Sequence, residues 1–286
     1  MEGFIFINKQ DTKVVMLKNI ILFGSLLVFA SGCANKQMLK QQIAEVIKEN
    51  PQLLLDAMRE NNIEVLTIVE SGLDSRREKT RQDRFQEELD NPLKPVISPD
   101  RASIGNLGAP VTIVEYSDFL CPYCSKGAKV ARDLVDSNPE KYRLIYKHLP
   151  LKAESKKLSA VFEAIALIDK DKAFKFHDEA FKLQKELYKD PEGKILGRIL
   201  LGLDIDLDKL QEVLQSEKIA ENLANDEAEA EAFGLNATPT FLINGVSIRG
   251  YVPADKFEML IGVILEKSSQ KESVDGEVCE DCLNKM

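Results

Sequence analysis

Cys121-Pro122-Tyr123-Cys124 holds two thiols three residues apart. Before it, Val111-Thr112-Ile113-Val114-Glu115-Tyr116 is rich in β-branched residues and reads as a buried strand; after it, Ala128 to Val135 reads as helix. Two cysteines at i and i+3 on the first turn of a helix can close a disulfide. Cys121 then stands at the helix N-terminus, where unpaired N–H groups and the macrodipole favour an anion. The spacing predicts a lowered thiol pKa at Cys121 and hence a good leaving group. Cys124, one turn in and less exposed, becomes the resolving thiol. The same spacing also serves zinc, which usually needs two further ligands. The chain has two histidines, His148 and His177, and neither lies nearby in sequence.

The stretch from Ala109 through Val111-Thr112-Ile113-Val114-Glu115-Tyr116-Ser117-Asp118-Phe119-Leu120 to Cys124 resembles the opening of DsbA-like thiol–disulfide oxidoreductases. Thr238-Pro239-Thr240 is similar to their cis-proline loop, which the fold places beside the two cysteines. The resemblance covers about residues 100–265. It implies that Thr238 docks a client chain by its backbone, that Pro239 shapes that loop, and that Pro122 and Tyr123 lie at the substrate face. It also implies that Glu115 is a buried acid relaying protons to the resolving cysteine, with Lys147 as its partner. A buried carboxylate beside a thiol can raise its pKa and accept its proton. Pro122-Tyr123 and the threonine before the proline are closer to isomerase and reductase members than to the strongest oxidases. His148 is expected to pack or cap near the helical block, and His177 to be a satisfied surface or core histidine.

The elements that must hold these residues follow in order. Tyr142 to Tyr146 is a second strand, and residues 153–232 are helical in pattern, with breaks near Asp190-Pro191-Glu192-Gly193 and Gly202. Thr240 to Ile243 and Val246 to Ile248 form a hairpin across Asn244-Gly245, and residues 254–267 a last helix. The fold class is α/β: a thioredoxin-like fold with an inserted helical subdomain, preceded by an N-terminal helical segment.

Residues 36–72 carry Leu39, Ile43, Val46 and Ile47 at helical spacing, and Asn50-Pro51 reads as a helix start. Too few residues are present for an independent core, so the apolar faces must pack on the next domain or on another copy. Ile43 to Leu54 looks like the oligomerisation segment of ScsC-type multimeric relatives, which implies a homo-oligomer suited to disulfide isomerisation. Asp74 to Asn91 is almost entirely polar and reads as a solvated helical connector, ended by Pro92, Pro95 and Pro99.

Ahead of this lies an apolar run of eleven residues, Ile20 to Ala30, preceded by Lys18. It is too short to span a membrane and fits a signal-peptide core. Ala30-Ser31-Gly32-Cys33 resembles a bacterial lipobox, with Ala30 where leucine is usual. That implies lipidation of Cys33 and anchoring in the cell envelope or periplasm, where disulfides persist. A second pair, Cys279 and Cys282, stands in a polar tail with Glu280 and Asp281 between, acids that raise thiol pKa values. It reads as a local disulfide, an electron shuttle to Cys121 and Cys124, or a metal pair.

The domain reading is thus a signal peptide at 1–32, an oligomerisation segment at 33–73, a charged linker at 74–99, the catalytic domain at 100–268 with its insertion at about 150–232, and the tail at 269–286. The 286 residues carry a net charge of −9, which argues against nucleic acid as a partner. Ten acids lie between Asp204 and Glu231 against Lys209 and Lys218, read as a solvated helix face. The expected function is disulfide exchange on cysteine-bearing client proteins, with no metal and no cofactor beyond the redox-active disulfide. A membrane thiol reductase or oxidase is the expected electron partner. A monomeric oxidase, a thiolate copper- or zinc-binding protein and a chaperone cradle are the alternatives.

Overall fold

The computed structural model describes residues 36–283, with side chains through Gln270. The leader and Cys33 lie outside the described residues. The chain divides into two compact units, Met1–Glu78 and Lys79–Met286.

In the first unit, residues 36–49 form helix α1, and Pro51 opens α2 (Pro51–Glu60) at a position whose N–H would be unpaired in any case. The predicted stripe is present and uncovered: Leu39, Ile43, Val46, Leu54 and Met58 are all exposed. Helix α3 (Asn62–Asp90) carries the chain into the second unit. No helix among the described residues is long and apolar enough to cross a membrane.

The second unit is built on five strands in the order β1-β3-β2-β4-β5. β2 (Val111–Ser117) and β3 (Tyr142–His148) pair in parallel, and the other pairings are antiparallel. A parallel central pair must be covered on both faces, and all but one residue of each strand is buried. α4 (Pro122–Ser137) crosses between them. β1 (Ser103–Gly105) is a short edge strand without an apolar signature, and the sequence reading has no counterpart for it. β4 (Thr240–Ile243) and β5 (Val246–Arg249) form the expected hairpin. Its turn residues Asn244 and Gly245 both take positive φ, 48° and 91°. That is the conformation an Asn-Gly loop favours.

Between β3 and β4 lies the helical insertion: α5 (Ala153–Ile168), α6 (Lys170–Lys182), α7 (Gln184–Leu187), α8 (Lys194–Gly202), α9 (Leu207–Val213) and α10 (Glu217–Ala232). The larger core packs α4 and most of the insertion on one face of the sheet; Val114, Tyr116, Ile145 and Leu242 face Ala230 of α10 and Leu235 on the other.

The last helix differs from the expectation. α11 runs from Ala254 to Leu283 rather than ending at 267. Residues 268–283 contain no proline and one glycine, so nothing in them stops a helix already under way. The side chains of Cys279 and Cys282 lie outside the described residues.

The acidic stretch also divides. Asp226 and Glu229 of α10 turn inward. Asp226 Oδ2 accepts from Arg101 Nη2 at 2.6 Å and from the His148 backbone N–H at 2.9 Å. Glu229 pairs with Lys147 and accepts from the Tyr116 hydroxyl. Glu163 of α5 completes the seam, with His148 Nε2 at 2.9 Å and Asn222 Nδ2 at 2.6 Å. Periodicity alone did not separate these two carboxylates from their solvated neighbours.

Candidate active site

The Ser117–Leu120 turn presents Cys121. The Asp118 carboxylate accepts from Leu120 N–H at 2.6 Å and from Leu151 N–H at 2.7 Å, and the Phe119 ring is buried against Tyr146 and Phe181, both 5.1 Å away by centroid. Cys121 is the N-cap of α4, with φ −83° and ψ 120°. Pro122 takes the first helical position, where its missing N–H costs nothing. Cys124 is fully buried and Cys121 partly exposed, both as free thiols.

Gln184 of α7 braces this turn from the insertion. Its Nε2 donates to the Phe119 carbonyl at 2.8 Å and to the Cys121 carbonyl at 2.9 Å. No sequence signal marked it, because it lies more than sixty residues from the carbonyls it satisfies. Gly127 of α4 is a second residue the motif reading missed. A Cβ there would stand 2.8 Å from the Phe241 ring and 3.1 Å from the Pro239 ring. Its lack of a side chain lets the proline loop close on the cysteine helix.

The Thr238-Pro239 bond is cis. Cys121 Sγ lies 3.5 Å from the Thr238 carbonyl oxygen, so the two sequence-distant motifs meet. The Thr238 hydroxyl is buried with no hydrogen-bond partner among the described residues. The Cys121 thiol is lowered to about 5, first by a hydrogen bond from Cys124, against the opposing effect of burial, and further by Thr238 and the first backbone N–H groups of α4. Burial pushes Cys124 well up, and donating to Cys121 adds to that. One thiol is therefore a thiolate at neutral pH and the other holds its proton. Tyr123 is 60% exposed at the rim, and Lys126 Nζ sits 5.7 Å from its ring and from that of Tyr251.

Glu115 is completely buried and neither carboxylate oxygen has a hydrogen-bond partner. Burial raises it to about 8, the neighbouring Ser117 hydroxyl opposing the shift without reaching hydrogen-bond geometry. Lys147 is not its partner. The β2–β3 register sets Glu115 opposite Tyr146, and Tyr116 opposite Lys147. Neighbouring strand residues alternate faces, so Lys147 leaves on the far side, toward Glu229 and toward Asp226 at 3.9 Å. Glu115 instead shares its face with Tyr146, whose hydroxyl is also unpartnered. The alternation of β3 carried this information once the register was known.

The histidines are core residues. His148 is buried on β3 against Glu163. His177 lies within 5.5 Å of the rings of Tyr146, Phe174 and Phe181; its Nδ1 meets Asp178 at 2.9 Å while Nε2 has no partner. It is thus only half-satisfied. No cluster of three or more metal-ligating side chains occurs among the described residues.

Comparison with known proteins agrees with this geometry. The sequence model of the family described as thioredoxin matches residues 98–262. The chain is 36% identical over 152 residues to the Na(+)/H(+) antiporter NhaA 3 of Salinispora tropica, a match covering 52% of this chain and 22% of that protein. It is 29% identical over 155 residues to "Probable disulfide bond formation protein D" of Bacillus cereus, covering 50% of this chain and 69% of that protein. The chain thus spans about a quarter or less of the antiporters it matches. The solved structure of Proteus mirabilis ScsC in a transitional conformation superposes with a TM-score of 0.53 at 17% identity, covering 82% of this chain and 99% of that one. At that identity the likeness is one of fold.

Proposed function

This chain belongs to the thioredoxin family, among its DsbA-like thiol–disulfide oxidoreductases, and from that premise we propose that it is an exported enzyme exchanging disulfides with client proteins and, as an oligomer, isomerising them. The observation that carries the chemistry is the Cys121–Cys124 contrast: a partly exposed thiolate at a helix N-cap above a buried, protonated thiol. In the oxidised pair, a client thiolate attacks Cys121 Sγ and Cys124 leaves. A second client thiolate then releases Cys121. In the reduced pair, Cys121 attacks a client disulfide and Cys124 resolves the adduct. The low pKa of Cys121 stabilises the reduced form and makes the disulfide oxidising.

Thr238, beside Cys121, is the backbone that docks the client, with Pro239 shaping its loop and Pro122 and Tyr123 at the rim. Glu115, protonated at pH 7 and on the sheet face that carries the cysteine helix, gives its proton to Cys124 as that thiolate leaves, and as the resulting carboxylate takes it back when Cys124 resolves an adduct. The reading places no cofactor in the site beyond the redox-active disulfide.

Isomerisation is supported by the bare apolar stripe on α1 and α2, a surface of the kind that marks an interface. The sequence around Cys33 supports export and a lipid anchor, and a membrane thiol reductase or oxidase would set the resting state of the pair. Reactivation of scrambled ribonuclease tests the whole reading. The full chain should unscramble it and run as an oligomer in light scattering. The variant Ile43→Glu/Leu54→Glu should be monomeric and retain oxidation of reduced substrate while losing unscrambling. Equal unscrambling by a monomeric variant would remove the oligomer from the account.

A further inference from the structure

Beside Cys121 the surface opens into a groove of about 340 Å3. Leu120 and Pro122, the residues either side of Cys121, line it together with Gln184, which braces the cysteine turn. The rest of its lining is Lys152, Lys185 and Lys189, with the exposed ring of Tyr188. Among the described residues no carboxylate lines this groove. Lys152 Nζ donates to the Tyr188 hydroxyl at 3.3 Å and sits 4.7 Å over its ring. Among the described residues, none of the three lysines has a carboxylate partner.

Three of the nearby acids are committed elsewhere. Glu186 pairs with Arg198 at 2.9 Å. Asp190 caps α8, accepting from the N–H groups of Lys194, Ile195 and Leu196. Glu192 pairs with Lys194. Glu154 stands in the adjoining groove that shares Leu120, Lys152 and Tyr188. A chain of net charge −9 thus keeps three lysines with no carboxylate partner among the described residues in the groove at its cysteine turn.

Three cations beside apolar Leu120 and Pro122, in a groove whose own lining holds no carboxylate among the described residues, form a surface complementary to an acidic peptide. The groove adjoins Cys121, so its occupant must be the stretch of client chain next to the reacting cysteine. We propose that this groove takes acidic residues flanking a client cysteine, so that the preferred substrates are cysteine-bearing acidic segments. The inference rests on the reading of Cys121 and Cys124 as the dithiol pair acting on clients, and supplies its substrate class. The step itself balances within that reading. The first client sulfur bonds to Cys121 Sγ as the Cys121–Cys124 bond breaks, and the second client sulfur displaces Cys121. The client loses two electrons, which the pair gains; one proton stays on Cys124 and the other goes to solvent.

The test uses the oxidised full chain and three dithiol peptides of one sequence, with Glu, Ala or Lys on both sides of each cysteine. Each second-order rate constant is divided by that peptide's rate with 2-hydroxyethyl disulfide, which removes the effect of the flanking charges on the peptide's own thiols. At low salt the Glu peptide should outrun the Lys peptide by about tenfold, the lower end of electrostatic steering. The ratio should approach one at ~1 M salt, where screening acts over about 3 Å. Lys152→Glu/Lys185→Glu/Lys189→Glu should reverse the order, and the Gln triple variant should abolish it. Equal normalised rates at low salt, or a preference that the triple variants leave unchanged, overturns the inference while leaving the redox reading intact. If none of the peptides is oxidised, the redox reading falls and takes the inference with it.

Discussion

Glu115 and Lys147 leave the central sheet on opposite faces. Their strands pair with Glu115 against Tyr146 and Tyr116 against Lys147, so the carboxyl points toward the cysteine helix and the ammonium toward α10. The lysine therefore stabilises the fold, and the acid is left to act alone near the thiols.

Lys147→Met separates these roles. It takes the cation away from Glu229, which keeps only neutral donors such as the Tyr116 hydroxyl, while Asp226 keeps Arg101. Breaking a buried pair from one side costs ~3–5 kcal/mol. Chemical denaturation should show a loss of that order, while the pH at which Cys121 is half-alkylated stays where it is. A shift in that midpoint would return Lys147 to the active site.

Alkylation of Cys121 by iodoacetamide should rise through a midpoint near pH 5. The largest cause of that low value is the hydrogen bond from Cys124. Cys124→Ala should move the midpoint upward by about one to two pH units, an amount consistent with loss of one charge-assisted hydrogen bond. An unmoved midpoint would assign the effect to Thr238 and the helix terminus instead.

Stability against pH should differ between redox states. The folded Glu115 carboxyl titrates at about 8, above its ordinary 4.5. Its contribution is complete below the lower value and is lost as pH climbs to the upper one. That loss is on the order of 3–5 kcal/mol. Cys121 works in the opposite sense, because its folded value lies below the ordinary 9. It adds stability to the reduced protein as pH rises from about 5. Between pH 5 and 8 the oxidised protein should lose stability while the reduced protein changes little. Glu115→Gln should flatten the oxidised curve, which thermal melts in both redox states would register.

Gln184 offers its amide to two carbonyls of the cysteine turn. Gln184→Ala removes a donor from both, leaving the Cys121 carbonyl with the Cys124 N–H at 2.9 Å, and should cost ~1–3 kcal/mol. Gln184→Glu should be worse than alanine at pH 7, since it aims a carboxylate at two acceptors, and should recover as the carboxyl is protonated. Denaturation of both variants at pH 7 and pH 4.5 makes the comparison.

The site was legible in the sequence where its chemistry is local. Cys121 and Cys124 lie on one helical turn after a strand, and the Asn244-Gly245 turn announces its hairpin. The approach of Thr238 to Cys121 came from resemblance, since the two are more than a hundred residues apart. What stayed hidden depends on register or long-range packing. Strand alternation decides between Tyr146 and Lys147 as the neighbour of Glu115, but only once β2 and β3 are aligned. Gln184 and Gly127 act through contacts with distant backbone and rings, and glutamine or glycine in a helix carries no mark of that. The inward turn of Asp226 and Glu229 depends on Arg101 and Lys147, which no helical period reveals.

The most direct measurement is a trap. The full-length Cys124→Ser variant, which cannot resolve an adduct at that position, is mixed with scrambled ribonuclease and quenched with acid. Peptide mass spectrometry then locates the intermolecular disulfide. The account predicts an adduct through Cys121, abolished by Cys121→Ser. An adduct through Cys279 or Cys282, or none at Cys121, would contradict it.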